Sequence, residues 1–97
     1  MSNDHDVLTV YTTTWCGDCV AAKRALDGLG VDYEEIRLDE NERAVAYVEQ
    51  VNGGRRSVPT LAYRGRTTNL SRFSPRALRE FLTTVGLAPT ITSASGD

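Results

Sequence analysis

Cys16-Gly17-Asp18-Cys19 holds both cysteines of this 97-residue chain. Residues three apart share a helix face, with Cβ atoms about 5–6 Å apart. A disulfide needs them at about 3.5–4.5 Å, so closure is feasible where the first cysteine stands at a helix entrance. There Cys16 would face unpaired backbone N–H groups and the positive end of the helix dipole. An anion in that position gains about 1–2 kcal/mol, which lowers a thiol pKa by about one unit. Cys16 is therefore expected to be largely thiolate near neutral pH, the nucleophilic form. Asp18 opposes this, because a nearby carboxylate disfavours a second negative charge. A moderately acidic thiol is the expectation.

Other uses of the pair fit less well. A structural disulfide around so short a loop gains little, since loop-closure stabilisation grows with loop size. Zinc normally takes four ligands, and His5 is the single histidine available to join the cysteines, so no metal site is expected. Two buried, inert thiols are a further reading, but Gly17 and Asp18 suit an exposed helix entrance better than a core. A redox pair following a strand is the favoured assignment.

Val58-Pro59-Thr60 is the second constellation. Pro59 is tolerated at the first position of a strand, and that plain structural role is one reading. Beside a cysteine pair a second reading arises, in which a cis Val58–Pro59 bond costs about 0.5–1 kcal/mol. Val58 would then offer its backbone to an incoming extended chain. Trp15, directly before Cys16, either packs on the helix entrance or walls the nucleophile and guides a substrate. Thr12, Thr13 and Thr14 read as strand and turn residues, one of whose hydroxyls could donate to the Cys16 thiolate. Tyr11, Tyr33, Tyr47 and Tyr63 read as packing residues, and Lys23 and Arg24 as solvated ones.

The elements that must position these groups are legible in outline. Val7 to Thr13 is β-branched and aromatic and reads as a strand. A helix follows Cys16 and is stopped by Gly28 and Gly30. Val31 to Leu38 returns to period two, a second strand parallel to the first, so that strand–helix–strand forms a right-handed crossover. Asp39 or Asn41 caps the next helix, with Asp39 and Glu42 resembling a capping box. Ala44, Val45, Val48 and Val51 share one face of it, and Asn52-Gly53-Gly54 ends it. Thr60 to Tyr63 and Thr67 to Leu70 read as a hairpin turning at Arg64-Gly65-Arg66. Ser74 and Pro75 open a last helix whose buried face is Leu78, Phe81, Leu82 and Val85, with Gly86 at its end. The order β-α-β-α-β-β-α implies an α/β fold, a four-stranded mixed sheet with helices on both faces.

Length and composition set outer bounds. Ninety-seven residues with 40% apolar and 25% charged side chains suit one core and one domain, over residues 1–86. A polar leader at 1–6 is expected to open it and a flexible tail at 87–97 to follow it. No apolar run approaches the ~20 residues of a membrane span, and the leader lacks a secretory layout; a soluble cytoplasmic monomer is expected. A net charge of −2 argues against nucleic acid as a partner. Acids crowd residues 32–42, whereas Gln50 to Arg79 holds seven arginines and no acid. That segment is either a solvated face or a basic rim for an anionic group or acidic partner.

With the two constellations in this order, the chain resembles the thioredoxin superfamily and, within it, the glutaredoxins. Closer still, Tyr11 to Cys19 followed by Val51-Asn52-Gly53-Gly54-Arg55-Arg56-Ser57-Val58-Pro59-Thr60 is similar to the mycoredoxin group of glutaredoxin-like proteins. The resemblance implies a thioredoxin fold and a thiol–disulfide oxidoreductase without a bound cofactor. Glutathione-using glutaredoxins commonly carry a lysine before the nucleophile and a Gly-Gly-x-Asp-like segment after the last strand. This chain has threonines in the first place and Thr68-Asn69-Leu70-Ser71 in the second, which implies mycothiol as carrier in place of glutathione. Mycoredoxins often have a tyrosine where Asp18 stands.

The expected activity is reduction of mixed disulfides between proteins and a low-molecular-weight thiol. Cys16 attacks, and Cys19 or a second carrier thiol resolves. Val58 and Pro59 dock the substrate, with Trp15 beside them, and Arg55, Asn69 and Leu70 grip the carrier. Rival expectations are a dithiol reductase fed by a flavoprotein reductase, an iron–sulfur carrier using Cys16 from two chains, and a non-enzymatic interaction module built on the arginines.

Overall fold

The computed structural model describes residues 7–87. The polar leader with His5, and tail residues 88–97, lie outside the described residues.

The element order is β1 (Leu8–Thr12), α1 (Gly17–Leu29), β2 (Tyr33–Arg37), α2 (Glu42–Val51), β3 (Thr60–Tyr63), β4 (Arg66–Asn69) and α3 (Pro75–Val85), with a 3₁₀ turn at Leu38–Glu40 before α2. The four strands form one sheet in the order β2-β1-β3-β4. β1 pairs parallel with β2 and antiparallel with β3, and β3 antiparallel with β4. This is the mixed sheet expected from the element order, with β1 and β3 in its centre.

Alternation along β1 sends Leu8, Val10 and Thr12 into one face and leaves Thr9 and Tyr11 half-buried on the other. The first face meets Leu26 of α1 and Leu78, Phe81 and Leu82 of α3 in the main core, together with Leu61 and Tyr63 of β3. The second face meets Ala44 and Val48 of α2 beside Tyr11, Ile36 and Val58. The arrangement is three layers, two helices, sheet and one helix, the thioredoxin fold.

Several boundaries differ from the sequence reading for local reasons. Gly28 lies inside α1; the helix closes at Gly30, whose φ of 73° is left-handed, with Val31 N–H on Leu26 carbonyl at 3.0 Å. That closure takes Val31 out of the strand, so β2 begins at Tyr33. Asn41, not Asp39, caps α2, its Oδ1 accepting the Ala44 N–H at 2.9 Å. Asp39 is instead turned onto the loop before Cys16. The β3–β4 hairpin turns at Arg64 and Gly65 alone, with φ of 49° and 83°. Two successive positive φ values suit a two-residue hairpin turn, which brings Arg66 into pairing with Tyr63. Leu87 sends its N–H to Leu82 carbonyl at 2.7 Å and packs on the core, so the folded chain continues past Gly86.

Candidate active site

β1 and β3 run antiparallel with Tyr11 opposite Thr60, so the chain leaving β1 toward Cys16 and the chain entering β3 through Pro59 meet at one end of the sheet. Cys16 is the N-cap of α1, extended at φ −141° and ψ 103°. Its Sγ accepts the Cys19 N–H at 3.0 Å. The two cysteines are joined in a disulfide with Cα atoms 5.2 Å apart, within the usual range. Their exposures differ: Cys19 is 1% exposed, while Cys16 is only partly covered. An incoming thiolate can reach the Cys16 sulfur and not that of Cys19.

The approach to Cys16 is fixed from the side. Thr14 donates its N–H to Asp39 Oδ1 at 3.1 Å and its hydroxyl to Asp39 Oδ2 at 2.8 Å. The Thr14 hydroxyl bond is the main reason the Asp39 carboxyl lies below its ordinary range. Thr12 Oγ1 donates to Glu35 Oε2 at 2.7 Å, and Lys23 Nζ reaches the same oxygen at 2.9 Å. The hydroxyls of Thr12 and Thr14 are therefore committed to carboxylates, not to the Cys16 sulfur. Lys23, read as solvated, is a partly buried ion-pair partner.

The Val58–Pro59 bond is cis. Pro59 is buried, and its carbonyl accepts the Leu70 N–H at 2.8 Å. Asn52, at the end of α2, donates Nδ2 to Thr60 Oγ1 at 3.0 Å and to Val48 carbonyl at 2.9 Å, and Thr60 Oγ1 donates to Ser57 carbonyl at 2.8 Å. Sequence reading saw Asn52 only as a helix stop and missed this bracing. A third segment joins the site after β4, where Asp18 Oδ2 accepts the Arg72 N–H at 2.9 Å.

The remaining candidates are placed as follows. Trp15 is 93% exposed and does not pack on the helix entrance. Arg55 is exposed on the loop after α2. Asn69 ends β4 with Oδ1 accepting the Ser71 N–H at 2.9 Å. Leu70 is 3% exposed in the main core with its N–H on Pro59, so its side chain supports the loop from beneath. Arg56 pairs with Glu49 at 3.4 Å and Arg76 with Glu80 at 3.2 Å, which neutralises part of the arginine-rich segment. Among the described residues no group of three or more His, Cys, Asp or Glu could hold a metal ion. Nor is any described helix long and apolar enough to cross a membrane.

A thioredoxin fold with a redox dithiol at the entrance of its first helix defines the thiol–disulfide oxidoreductases of that fold. The glutaredoxin family model matches residues 8–67. A Mycobacterium tuberculosis protein provisionally named a glutaredoxin, Rv3198A, is 45% identical over 56 residues, 58% of this chain and 67% of that one. Mycoredoxin 1 of Corynebacterium glutamicum is 41% identical over 56 residues, 58% of this chain and 68% of that one. Among solved structures, the glutaredoxin-like NrdH-redoxin of Escherichia coli, described as having a thioredoxin-like activity profile, superposes with a TM-score of 0.62 at 29% identity over 75% of this chain and 91% of that one. This chain belongs to the glutaredoxin family and is a thiol–disulfide oxidoreductase.

Proposed function

We propose that this oxidoreductase reduces mixed disulfides between proteins and a low-molecular-weight thiol, that Cys16 is its nucleophile, and that mycothiol is preferred to glutathione. The observation that carries this reading is the asymmetry of the pair. Cys16 Sγ is reachable and accepts the Cys19 N–H at the positive end of α1, whereas Cys19 is buried. A backbone donor and a helix N-terminus both favour the thiolate over the thiol. The carrier preference is supported by the likeness to mycoredoxin 1.

In the first step the Cys16 thiolate attacks the carrier sulfur of a protein–carrier disulfide. A Cys16–carrier bond forms, and the protein sulfur leaves as a thiolate that takes a proton from solvent. A second carrier thiolate then attacks the carrier sulfur on Cys16, giving the oxidised carrier and restoring the Cys16 thiolate. Alternatively Cys19 attacks Cys16, releasing the carrier and closing the Cys16–Cys19 disulfide, which two further carrier thiols reduce. Val58, held by its cis bond to Pro59, offers its backbone to the substrate, exposed Trp15 contacts the protein, and Arg55 and Asn69 meet the carrier.

The test is a mixed-disulfide reduction assay run with mycothiol and with glutathione. Cys16→Ser is expected to abolish turnover and Cys19→Ser to keep much of it; mycothiol is expected to sustain far faster turnover than glutathione. Glutathione preference would overturn the carrier assignment, and equal loss in both variants would favour a dithiol route. That second reading, a dithiol reductase fed by a flavoprotein reductase, is favoured by the likeness to NrdH-redoxin. Turnover with such a reductase and no small thiol would establish it.

A further inference from the structure

Asp18 lies between the two cysteines, and its carboxylate leaves the helix to reach a turn 54 residues away. That turn is pinned at three successive amides. Leu70 N–H meets Pro59 carbonyl at 2.8 Å, Ser71 N–H meets Asn69 Oδ1 at 2.9 Å, and Arg72 N–H meets Asp18 Oδ2 at 2.9 Å. Arg72 has φ 62°, a left-handed conformation uncommon outside glycine. The turn thus gives the Arg72 N–H to the cysteine helix, and the chain's own carboxylate occupies it. A carboxylate two residues along from Cys16 is thereby held in the first turn of α1.

We propose that Asp18 determines carrier specificity: it disfavours thiols that bear a free carboxylate near their sulfur and favours those whose carboxylate is capped as an amide. Two effects act together. The Arg72 amide donor that could receive a carrier carboxylate is already filled, and like charges repel. For unit charges about 6 Å apart at an effective dielectric of about 40–80, the repulsion is worth about three- to tenfold in rate. The inference rests on the assignment of Cys16 as nucleophile and deepens it by naming the thiol class.

The test uses the oxidised full chain and two matched probes, N-acetylcysteine and N-acetylcysteinamide. The thiolate attacks Cys16 Sγ and breaks the Cys16–Cys19 bond, and Cys19 leaves as a thiolate. A second probe thiolate then frees Cys16 and yields the probe's disulfide. Rates are measured for both probes with the wild type, Asp18→Asn and Asp18→Glu. The intrinsic difference between the thiols cancels when the amide-to-acid rate ratio is compared between proteins. The ratio should fall about three- to tenfold in Asp18→Asn and stay near the wild-type value in Asp18→Glu. Added salt should narrow the ratio in the wild type and leave it unchanged in Asp18→Asn, because it screens the charge. An unmoved ratio in Asp18→Asn, including parallel changes in both rates, would overturn the inference while leaving Cys16 as nucleophile. No exchange with either probe in the wild type would overturn both.

Discussion

Glu35 of β2 accepts hydrogen bonds from Thr12 of β1 and Lys23 of α1, with Arg37 at 3.8 Å, beneath the sheet end that carries Cys16. The Thr12 hydroxyl first, then Lys23, hold its carboxyl below the ordinary glutamate range against a smaller opposing effect of burial. A carboxyl lowered in the folded state contributes stability above the unfolded value and loses it as pH falls through the folded one. Glu35→Gln should therefore cost about 1–2 kcal/mol at pH 7. Its deficit relative to the wild type should narrow below about pH 4. Urea unfolding across a pH series checks both; a deficit independent of pH would mean that packing, not charge, is lost. At this scale the Cys16–Cys19 bond and the cis Val58–Pro59 bond were legible, because residue type and spacing allow each. The acids that brace them were not: Asp39 and Glu35 meet Thr14 and Thr12 across 25 and 23 residues, a separation no local pattern encodes.

Element ends were read best where a cap obeys a short-range rule. Ser74 with Pro75 opens α3, the hydroxyl accepting Ala77 N–H at 3.2 Å, as the sequence proposed. Asp39 looked equally fit to cap α2, yet a 3₁₀ turn at Leu38–Glu40 delays the helix by two residues and passes the cap to Asn41. Asn41→Ala should lower stability by about 1 kcal/mol, whereas Asp39→Ala should leave the α2 cap intact and loosen the Thr14 loop. Hydrogen exchange separates the two: Ala44 N–H loses protection in the first variant and Thr14 N–H in the second. The hairpin was placed one residue late for a similar reason, since Arg64 adopts a positive φ that its type does not advertise.

Across the whole molecule, the sheet separates a large core under α1 and α3 from a small one under α2. Leu61, fully buried on central strand β3, joins the large one. Leu61→Ala should cost about 2–5 kcal/mol, seen as a lower urea midpoint. The layer order was readable because alternation and helix periodicity each name one buried face. The site frame was not, since it depends on which strand ends coincide. That frame has a consequence for synthesis. Cys19 precedes Pro59 by 40 positions and Arg72 by 53, and a chain emerges from the ribosome amino end first. Both sulfurs thus emerge well before the turn that frames them, so any discrimination among partners arrives only with the finished protein.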